Sequence, residues 1–335
     1  MEKAIANVFG VPEDIIPEFL EKMDFSEFID EIDNPNYHAG DIDYFEEFIS
    51  QIPSPNFKIK NGPINTNTMN INQEQKNRAG SYGSIYFNKS NSKFVYKMTE
   101  PTTLSMKLTP NSGFDNIFYG LTVKKLLFEP LIHIILQEDP VAGPKICKLF
   151  KVYCQKKNGE YTFLYKLERL GPNVYDLLDS DAFKSLSQKE KNEVAIKIYG
   201  PIYKTLKYLR DTYDFEHGDL HPGNLVFVEN PINSDGKLDK TKLSVKIIDF
   251  GLIKTGLNYG TYRFGGLAEE DEIVAQIKPF FTLIDEEEFG PKLTSESMGG
   301  LYNFQNYIIE ESEKLKGGRR KQKTRKLQRH GRKNI

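Results

Sequence analysis

The sequence predicts an α+β protein with two lobes, a β-rich first lobe and a reduced helical second lobe. Alternating or apolar runs near residues 81–88, 93–99, 146–154 and 161–168 are typical of strands. Longer helical patterns follow, of which residues 188–212 form the clearest amphipathic helix. The 335 residues suffice for one two-lobed domain with extensions, and a hydrophobic content of 39% suits a globular protein.

Residues 1–52 predict an acidic helical extension. Residues 1–50 carry fourteen acidic residues against two lysines, and apolar residues recur at three- and four-residue steps. Ser26 and Asp41 are the expected N-caps. We favour a small accessory unit packed on the first lobe, with an acidic regulatory arm as the alternative. Residues 53–77, rich in Pro, Asn and Gln, predict a linker.

The string AGSYGSIYF predicts a glycine loop that leads into a strand. Gly80 and Gly83 allow the backbone to approach a phosphate closely, with N–H groups facing it. The strand KFVYKM follows, and Val95 and Lys97 lie on the same face of it. If that face lines a nucleotide cleft, Val95 covers the base and Lys97 meets the phosphates.

Two later strings end in polar residues beside apolar strands. HGDLHPGNLVFV places Asp219 five residues before Asn224, and VKIIDFGLI ends a buried-strand pattern at Asp249. Each string alone is also compatible with an ordinary turn. Together, two carboxylates and a carboxamide at the ends of neighbouring strands provide the oxygen ligands that suit Mg²⁺.

The four strings occur in the order of the protein-kinase signature, and the chain therefore resembles a protein-kinase-like phosphotransferase over roughly residues 78–285. The resemblance implies ATP and Mg²⁺ as cofactors. It also implies an N-lobe at residues 78–170, a reduced C-lobe at 171–316, and a separate basic tail at 317–335. No Ala-Pro-Glu string closes the segment after Gly251, which is why the C-lobe is expected to be reduced.

The resemblance also assigns roles to individual residues. Asp219 would accept or orient the proton of the attacking hydroxyl, while Asn224 and Asp249 would hold Mg²⁺. The hinge backbone from Glu168 to Leu170 would bind the adenine edge, in a segment similar to the hinge of the casein-kinase and vaccinia-related kinase group. An ordinary strand-to-helix loop is the alternative there. The residues expected to cover the phosphates are Gly80, Ser81, Tyr82, Gly83, Ser84 and Ile85.

The stretch NIFYGLTVKKLLFEPLIHIILQ predicts a long apolar helix that carries the acidic partner of Lys97. Glu129 is the preferred candidate, because a carboxylate amid apolar neighbours needs a cation. Glu138 is the alternative. Pro130 disfavours helix at the preceding residue, so the helix is expected to kink or restart there.

Three residues depart from the family pattern. Arg78 replaces the first glycine of the usual triple, and Gly218 replaces the Arg that receives an activation-loop phosphate in switched kinases. His221 replaces the Lys that neutralises the transferring phosphate in Ser/Thr kinases. As the candidate catalytic cation at that position, His221 can supply charge only when its imidazole is protonated.

These departures leave three functions open. The first is an atypical serine/threonine protein kinase with a protein substrate. The second is a small-molecule kinase, because HGDLHPGN is closer to lipopolysaccharide and aminoglycoside kinases. The third is a pseudokinase scaffold, against which the intact Lys97, Asp219, Asn224 and Asp249 argue.

The remaining features concern partners and compartment. Cys147 and Cys154 predict buried reduced thiols in a reducing compartment, namely the cytoplasm, the nucleus or a virus factory. No secretory signal or membrane span is expected. The basic tail carries nine Lys or Arg and no acid. This composition predicts a disordered segment that binds nucleic acid or another polyanion. The alternative is a tail that only keeps the protein soluble, or one that pairs with the acidic extension. The tail resembles those of proteins from large nucleocytoplasmic DNA viruses.

Overall fold

The described part of the chain forms two units that mix helices and strands. A computed structural model describes residues 1–23, 39–54, 71–72, 83–88, 93–99, 102–103, 115–251, 257–259, 262–264 and 305–315. Of these, the first unit contains the residues up to Arg169, Asp249–Gly251 and the described residues between 255 and 266. The second unit contains Leu170–Ile248 and residues 305–315. The α+β class is therefore confirmed, whereas the predicted domain boundaries stay predictions.

An antiparallel sheet organises the first unit. Its strands follow the order β1-β2-β3-β6-β4, with β5 on β6, and the bounds are β1 Ile71–Asn72, β2 Gly83–Asn88, β3 Phe94–Thr99, β4 Thr102–Thr103, β5 Leu149–Lys157 and β6 Glu160–Glu168. A two-residue turn at Asn158 and Gly159, both with positive φ, joins β5 to β6. Asn-Gly suits this turn because both central residues must adopt the left-handed conformation. Strand β1 lies inside the segment that the sequence predicts as a linker.

The chain begins with three helices, α1 Glu2–Phe9, α2 Ile16–Lys22 and α3 Ala39–Gln51, of which α1 packs on β5. The rings of Phe19 and Phe48 stack with centroids 4.0 Å apart and form the centre of a small aromatic core. Lys151 of β5 donates to the Asn7 carbonyl at 2.9 Å. The prediction that Asp41 caps a helix is wrong, because α3 already begins at Ala39; Ser26 lies outside the described residues.

Helix α4, Asp115–Glu138, is continuous through Pro130. The expected restart at Glu129 is therefore wrong. A proline inside a helix removes one backbone donor, but neighbouring side chains can hold the helix together across it. Leu127, Leu131 and Ile132 flank the proline and are fully buried. Their packing explains why the local preference of Pro130 does not end the helix.

The second unit is mainly helical, with a small two-stranded sheet. Its helices are α5 Val174–Asp179, α6 Asp181–Lys184, α7 Gln188–Tyr213 and α8 305–315, and its strands are β7 Leu225–Phe227 and β8 Val245–Ile247. Ser187 and Glu190 form a capping box that begins α7. The insert between β7 and β8 has a bridge between Ile232 and Leu238, and its string NPINSDGKLDKTK predicts a polar hairpin.

The last two described strands, β9 Leu257–Tyr259 and β10 Tyr262–Phe264, pair with each other in the first unit. The string EEDEIVAQIKPFFTLI predicts a helix over residues 269–284. These residues and the basic tail at 317–335 lie outside the described residues. Cys147 and Cys154 are both buried free thiols, as predicted, whereas the reducing compartment stays a prediction. None of the helices in the described ranges has the length and apolar character of a transmembrane segment.

Candidate functional site

Lys97 lies on β3 and contacts two carboxylates in the first unit. Its Nζ is 2.8 Å from Glu129 Oε1 and 3.1 Å from Asp249 Oδ1. Only 13% of the Lys97 side chain is exposed. Burial by itself lowers the pKa of the Lys97 ammonium, but the charges of Glu129 and Asp249 outweigh it and raise that pKa above its usual range. Lys97 is therefore a permanently charged cation held between two acidic side chains.

Glu129, the preferred acidic partner in the sequence analysis, is the residue of α4 that contacts Lys97. Glu129 lies on α4, and its side chain is 18% exposed. The alternative, Glu138, is the last residue of α4 and is exposed. A charge in such an enclosed position is costly unless it is paired, so the contact with Lys97 compensates for the burial of Glu129.

Asp249 has an unusual backbone conformation. It follows β8 and has a φ of 63°, in the left-handed region where side chains other than Gly are uncommon. Asp is among the few residues that tolerate this conformation. Its carboxylate is 33% exposed, so it contacts Lys97 while it stays accessible to a ligand. Strained residues of this kind are found preferentially at functional sites.

The loop that carries Asp219 and Asn224 belongs to the second unit and is closed by internal hydrogen bonds. The Asn224 Nδ2 donates to the Asp219 carbonyl at 2.8 Å and lies 3.4 Å from Asp219 Oδ2. Gly218, with a φ of 69°, provides the turn that precedes Asp219. The amide of Asn224 therefore orients the Asp219 carboxylate, and its own Oδ1 is the oxygen suited to a metal.

His217 is a site residue that the sequence reasoning missed. It is fully buried, and its Nδ1 accepts the Asp219 N–H at 3.4 Å. Its Nε2 then carries the proton and donates to the Ile248 carbonyl at 3.0 Å. His217 thus joins the Asp219 loop to the residue that precedes Asp249 in the chain. Its position two residues before Asp219 could have identified it as a site residue. Its bond to the Ile248 carbonyl, 31 residues away, could not be predicted from the sequence.

His221 is bound to its own loop. Its Nδ1 accepts the Gly223 N–H at 3.0 Å, and its ring stacks on Tyr175 with centroids 5.8 Å apart. Its Nε2 lies 3.8 Å from Asp219 Oδ2, beyond hydrogen-bonding distance. The side chain is 43% exposed. The imidazole therefore helps to shape the loop, and its Nε2 stays within electrostatic range of the Asp219 carboxylate.

The predicted nucleotide-binding segments are described in part. Gly80, Ser81 and Tyr82 lie outside the described residues, whereas residues 83–85 belong to β2, and Ile85 pairs with Lys97 of β3. Val95 is half-buried on β3.

At the expected hinge, the N–H of Glu168 donates to the Lys148 carbonyl at 2.8 Å, and the N–H of Arg169 donates to the Lys93 carbonyl at 3.0 Å. Neither donor is left for an adenine ring. Leu170, the last hinge residue, belongs to the second unit.

The oxygen ligands fit Mg²⁺ chemically. Asp249 offers a carboxylate and Asn224 a carboxamide oxygen, both hard ligands of the kind that Mg²⁺ takes. In the described ranges there is no cluster of three or more His, Cys, Asp or Glu side chains that could hold a metal. Mg²⁺ commonly binds through only one or two protein carboxylates, with water and substrate phosphates as its other ligands.

No known family model matches this chain, and no curated protein is significantly similar to it in sequence. The kinase-like interpretation therefore depends on the four sequence strings and on the contacts of the residues within them.

Proposed function

We propose that this protein is an ATP- and Mg²⁺-dependent phosphotransferase, most simply an atypical serine/threonine protein kinase. The observation that supports the proposal most strongly is the enclosed Lys97 ammonium between Glu129 and Asp249. A fixed cation beside a partly exposed carboxylate is what a nucleotide triphosphate with its metal requires, because phosphoryl transfer depends mainly on positioning and charge neutralisation.

Each residue has a role in this mechanism. Mg²⁺, held by Asp249 and Asn224, would neutralise phosphate charge. Lys97 would bind the α- and β-phosphates, with Glu129 fixing its direction. Asp219, oriented by Asn224 Nδ2, would accept the proton of the attacking hydroxyl.

A small-molecule kinase on the same scaffold is the second candidate. The observation that favours it is His221, which accepts a loop N–H and stacks on Tyr175 where Ser/Thr kinases have a flexible lysine. A pseudokinase is the third function class, and the proposed roles of Lys97 and Asp219 would exclude it. We expect catalysis, since the carboxylates and the cation that it needs are all present.

Two substitutions separate nucleotide binding from chemistry. Asp249→Asn keeps a side chain that tolerates a positive φ but removes the charge, so Mg²⁺-dependent ATP binding is expected to be lost. Asp219→Asn is expected to bind ATP normally and to lose about 10²–10⁴-fold in kcat. The matched control is Asp235→Asn, in the exposed insert. Equal turnover by the wild type and Asp219→Asn would reject the mechanism.

The class of acceptor is tested with γ-labelled ATP and a cell lysate, followed by separation of protein from small-molecule label. A protein kinase transfers label to protein, and a small-molecule kinase transfers it to the low-mass fraction. The Asp219→Asn protein in the same lysate measures the background from other kinases. A pseudokinase would give no label above that background in either fraction.

A further inference from the structure

Helix α4 carries three polar side chains along one face. Glu129, His133 and Gln137 are spaced four residues apart, and this spacing places them above one another on a helix. Their neighbours are apolar and buried, and His133 itself is only 6% exposed. Polar groups on such a face are unfavourable unless each is hydrogen-bonded.

Each of the three side chains is bonded to a different place on or beside the sheet. Glu129 contacts Lys97 of β3 at 2.8 Å. The His133 Nε2 lies 2.5 Å from the Cys147 carbonyl, in the segment that leads into β5. The three bonds span about 12 Å of the helix axis, at 1.5 Å per residue. They attach α4 at three points rather than one.

Gln137 bonds the backbone of Leu149, the first residue of β5. Its Oε1 accepts the Leu149 N–H at 2.8 Å, and its Nε2 donates to the Leu149 carbonyl at 3.2 Å. The pairing of β5 with β6 shifts register between Leu149 and Lys151, so the ladder is irregular at this point. The amide of Gln137 bonds both backbone groups of Leu149, as a neighbouring strand would do.

His133 also touches the element that carries the second carboxylate. Its ring centroid is 4.8 Å from that of Phe250, which follows Asp249. Burial lowers the pKa of His133 to about 4, and the nearby Lys97 charge acts in the same direction, whereas the Cys147 carbonyl and Asp249 oppose the change. The ring is therefore neutral at pH 7, with its Nε2–H donated to Cys147.

We propose that His133 and Gln137 are positioning residues that fix α4 on the sheet, so that Glu129 stays paired with Lys97 without a partner protein or a phosphorylation event. This inference rests on the proposed function for its catalytic consequence. It agrees with Gly218, which offers no side chain to receive an activating phosphate. The Lys97–Glu129 pair would then be formed whenever the protein is folded.

The proposal is tested by the reactivity of the Lys97 amine toward an acylating reagent, measured by mass spectrometry. Lys237, with a side chain that is 82% exposed, is the internal reference. The double variant His133→Phe/Gln137→Met keeps side-chain volume but removes both attachments. We expect Lys97 in this variant to react about tenfold faster than in the wild type, because local opening becomes more frequent.

A second variant distinguishes positioning from packing. His133→Gln keeps a donor at the end of the side chain but loses the ring, so we expect Lys97 reactivity near that of the wild type. His133→Phe keeps the ring but loses the donor, and we expect faster labelling. If the double variant does not fold, Gln137→Met alone, at a half-buried position, provides the same measurement. Unchanged Lys97 labelling in a folded variant that lacks these attachments would overturn the proposal.

Catalytic parameters complete the test. The folded double variant is expected to lose kcat/KM for ATP, with circular dichroism and a cooperative thermal transition as evidence that it is folded. A wild type that transfers no phosphate would refute the proposed function but leave the labelling result interpretable. The two failures can therefore be told apart.

Discussion

Acid should destabilise this protein through His133, and a substitution that cannot titrate should remove that effect. The imidazole is enclosed between the Cys147 carbonyl and the Phe250 ring, with Lys97 and Asp249 as the charged groups that influence it. Its pKa is lowered to about 4 in the folded protein, mainly by burial, from 6.5 in an unfolded chain. His133 therefore binds a proton more weakly in the folded protein than in the unfolded chain.

The sign follows from proton counting. Between pH 6.5 and about 4 the unfolded chain binds more protons at this residue, so the free energy of unfolding falls as the pH is lowered. Well above pH 6.5 both states are neutral and His133 contributes no pH dependence. The difference between the two pKa values corresponds to about 3 kcal/mol in the free energy of unfolding over the whole pH range. About 2 kcal/mol of this stability is lost between pH 7 and pH 5.

The contribution of His133 to the free energy of unfolding is measured by urea unfolding of the wild type and His133→Gln at pH 7 and pH 5. The other titrating groups are common to both proteins, so their contributions cancel in the difference. The wild type should lose about 2 kcal/mol more than the variant on acidification. Parallel pH profiles would show that the His133 ring is not a buried neutral group, and the reasoning would fail.

Three further predictions concern other parts of the chain. If His221 acts as a cation, His221→Lys should keep turnover and His221→Ala should lose it; equal loss in both folded variants excludes that role. Truncation after Lys316 should weaken retention on nucleic acid and flatten its salt dependence, and unchanged retention would show that the tail does not bind it. Gly200→Ala should cost about 1–3 kcal/mol, because a Cβ there would lie 2.3 Å from the Ser312 Cβ, and the added change Ser312→Gly should recover most of it in thermal unfolding.

Local sequence patterns predicted most of the elements that surround the candidate site. Period-two alternation located β3 and β6 within about two residues, because side-chain direction in a strand depends only on the local backbone. The amphipathic pattern over 188–212 likewise predicted α7, which ends at Tyr213. The expected start of β5 was three residues early, and a 3₁₀ turn at Gly143–Lys145 directly precedes that expected start.

Local rules failed where distant packing decided the outcome. Pro130 predicted a kink or a restart in α4, but the helix runs through it without a restart, between buried neighbours on either side. Asp41 has the side chain of an N-cap, yet α3 begins two residues before it. At Pro130 the local preference, about 3 kcal/mol in a helix interior, was smaller than the stabilisation from burial of the surrounding apolar residues.

The sequence by itself determined which chemical groups this protein could use: a lysine on a strand, carboxylates after apolar runs, and an amide five residues from one of them. Only the tertiary structure decided which of these groups meet. Lys97 contacts a carboxylate 32 residues away and another 152 residues away. His133 bonds the Cys147 carbonyl just before β5, and Gln137 bonds Leu149, the first residue of β5. Such pairs form because buried polar groups must find partners in the folded chain, and the position of a partner depends on how every intervening element packs.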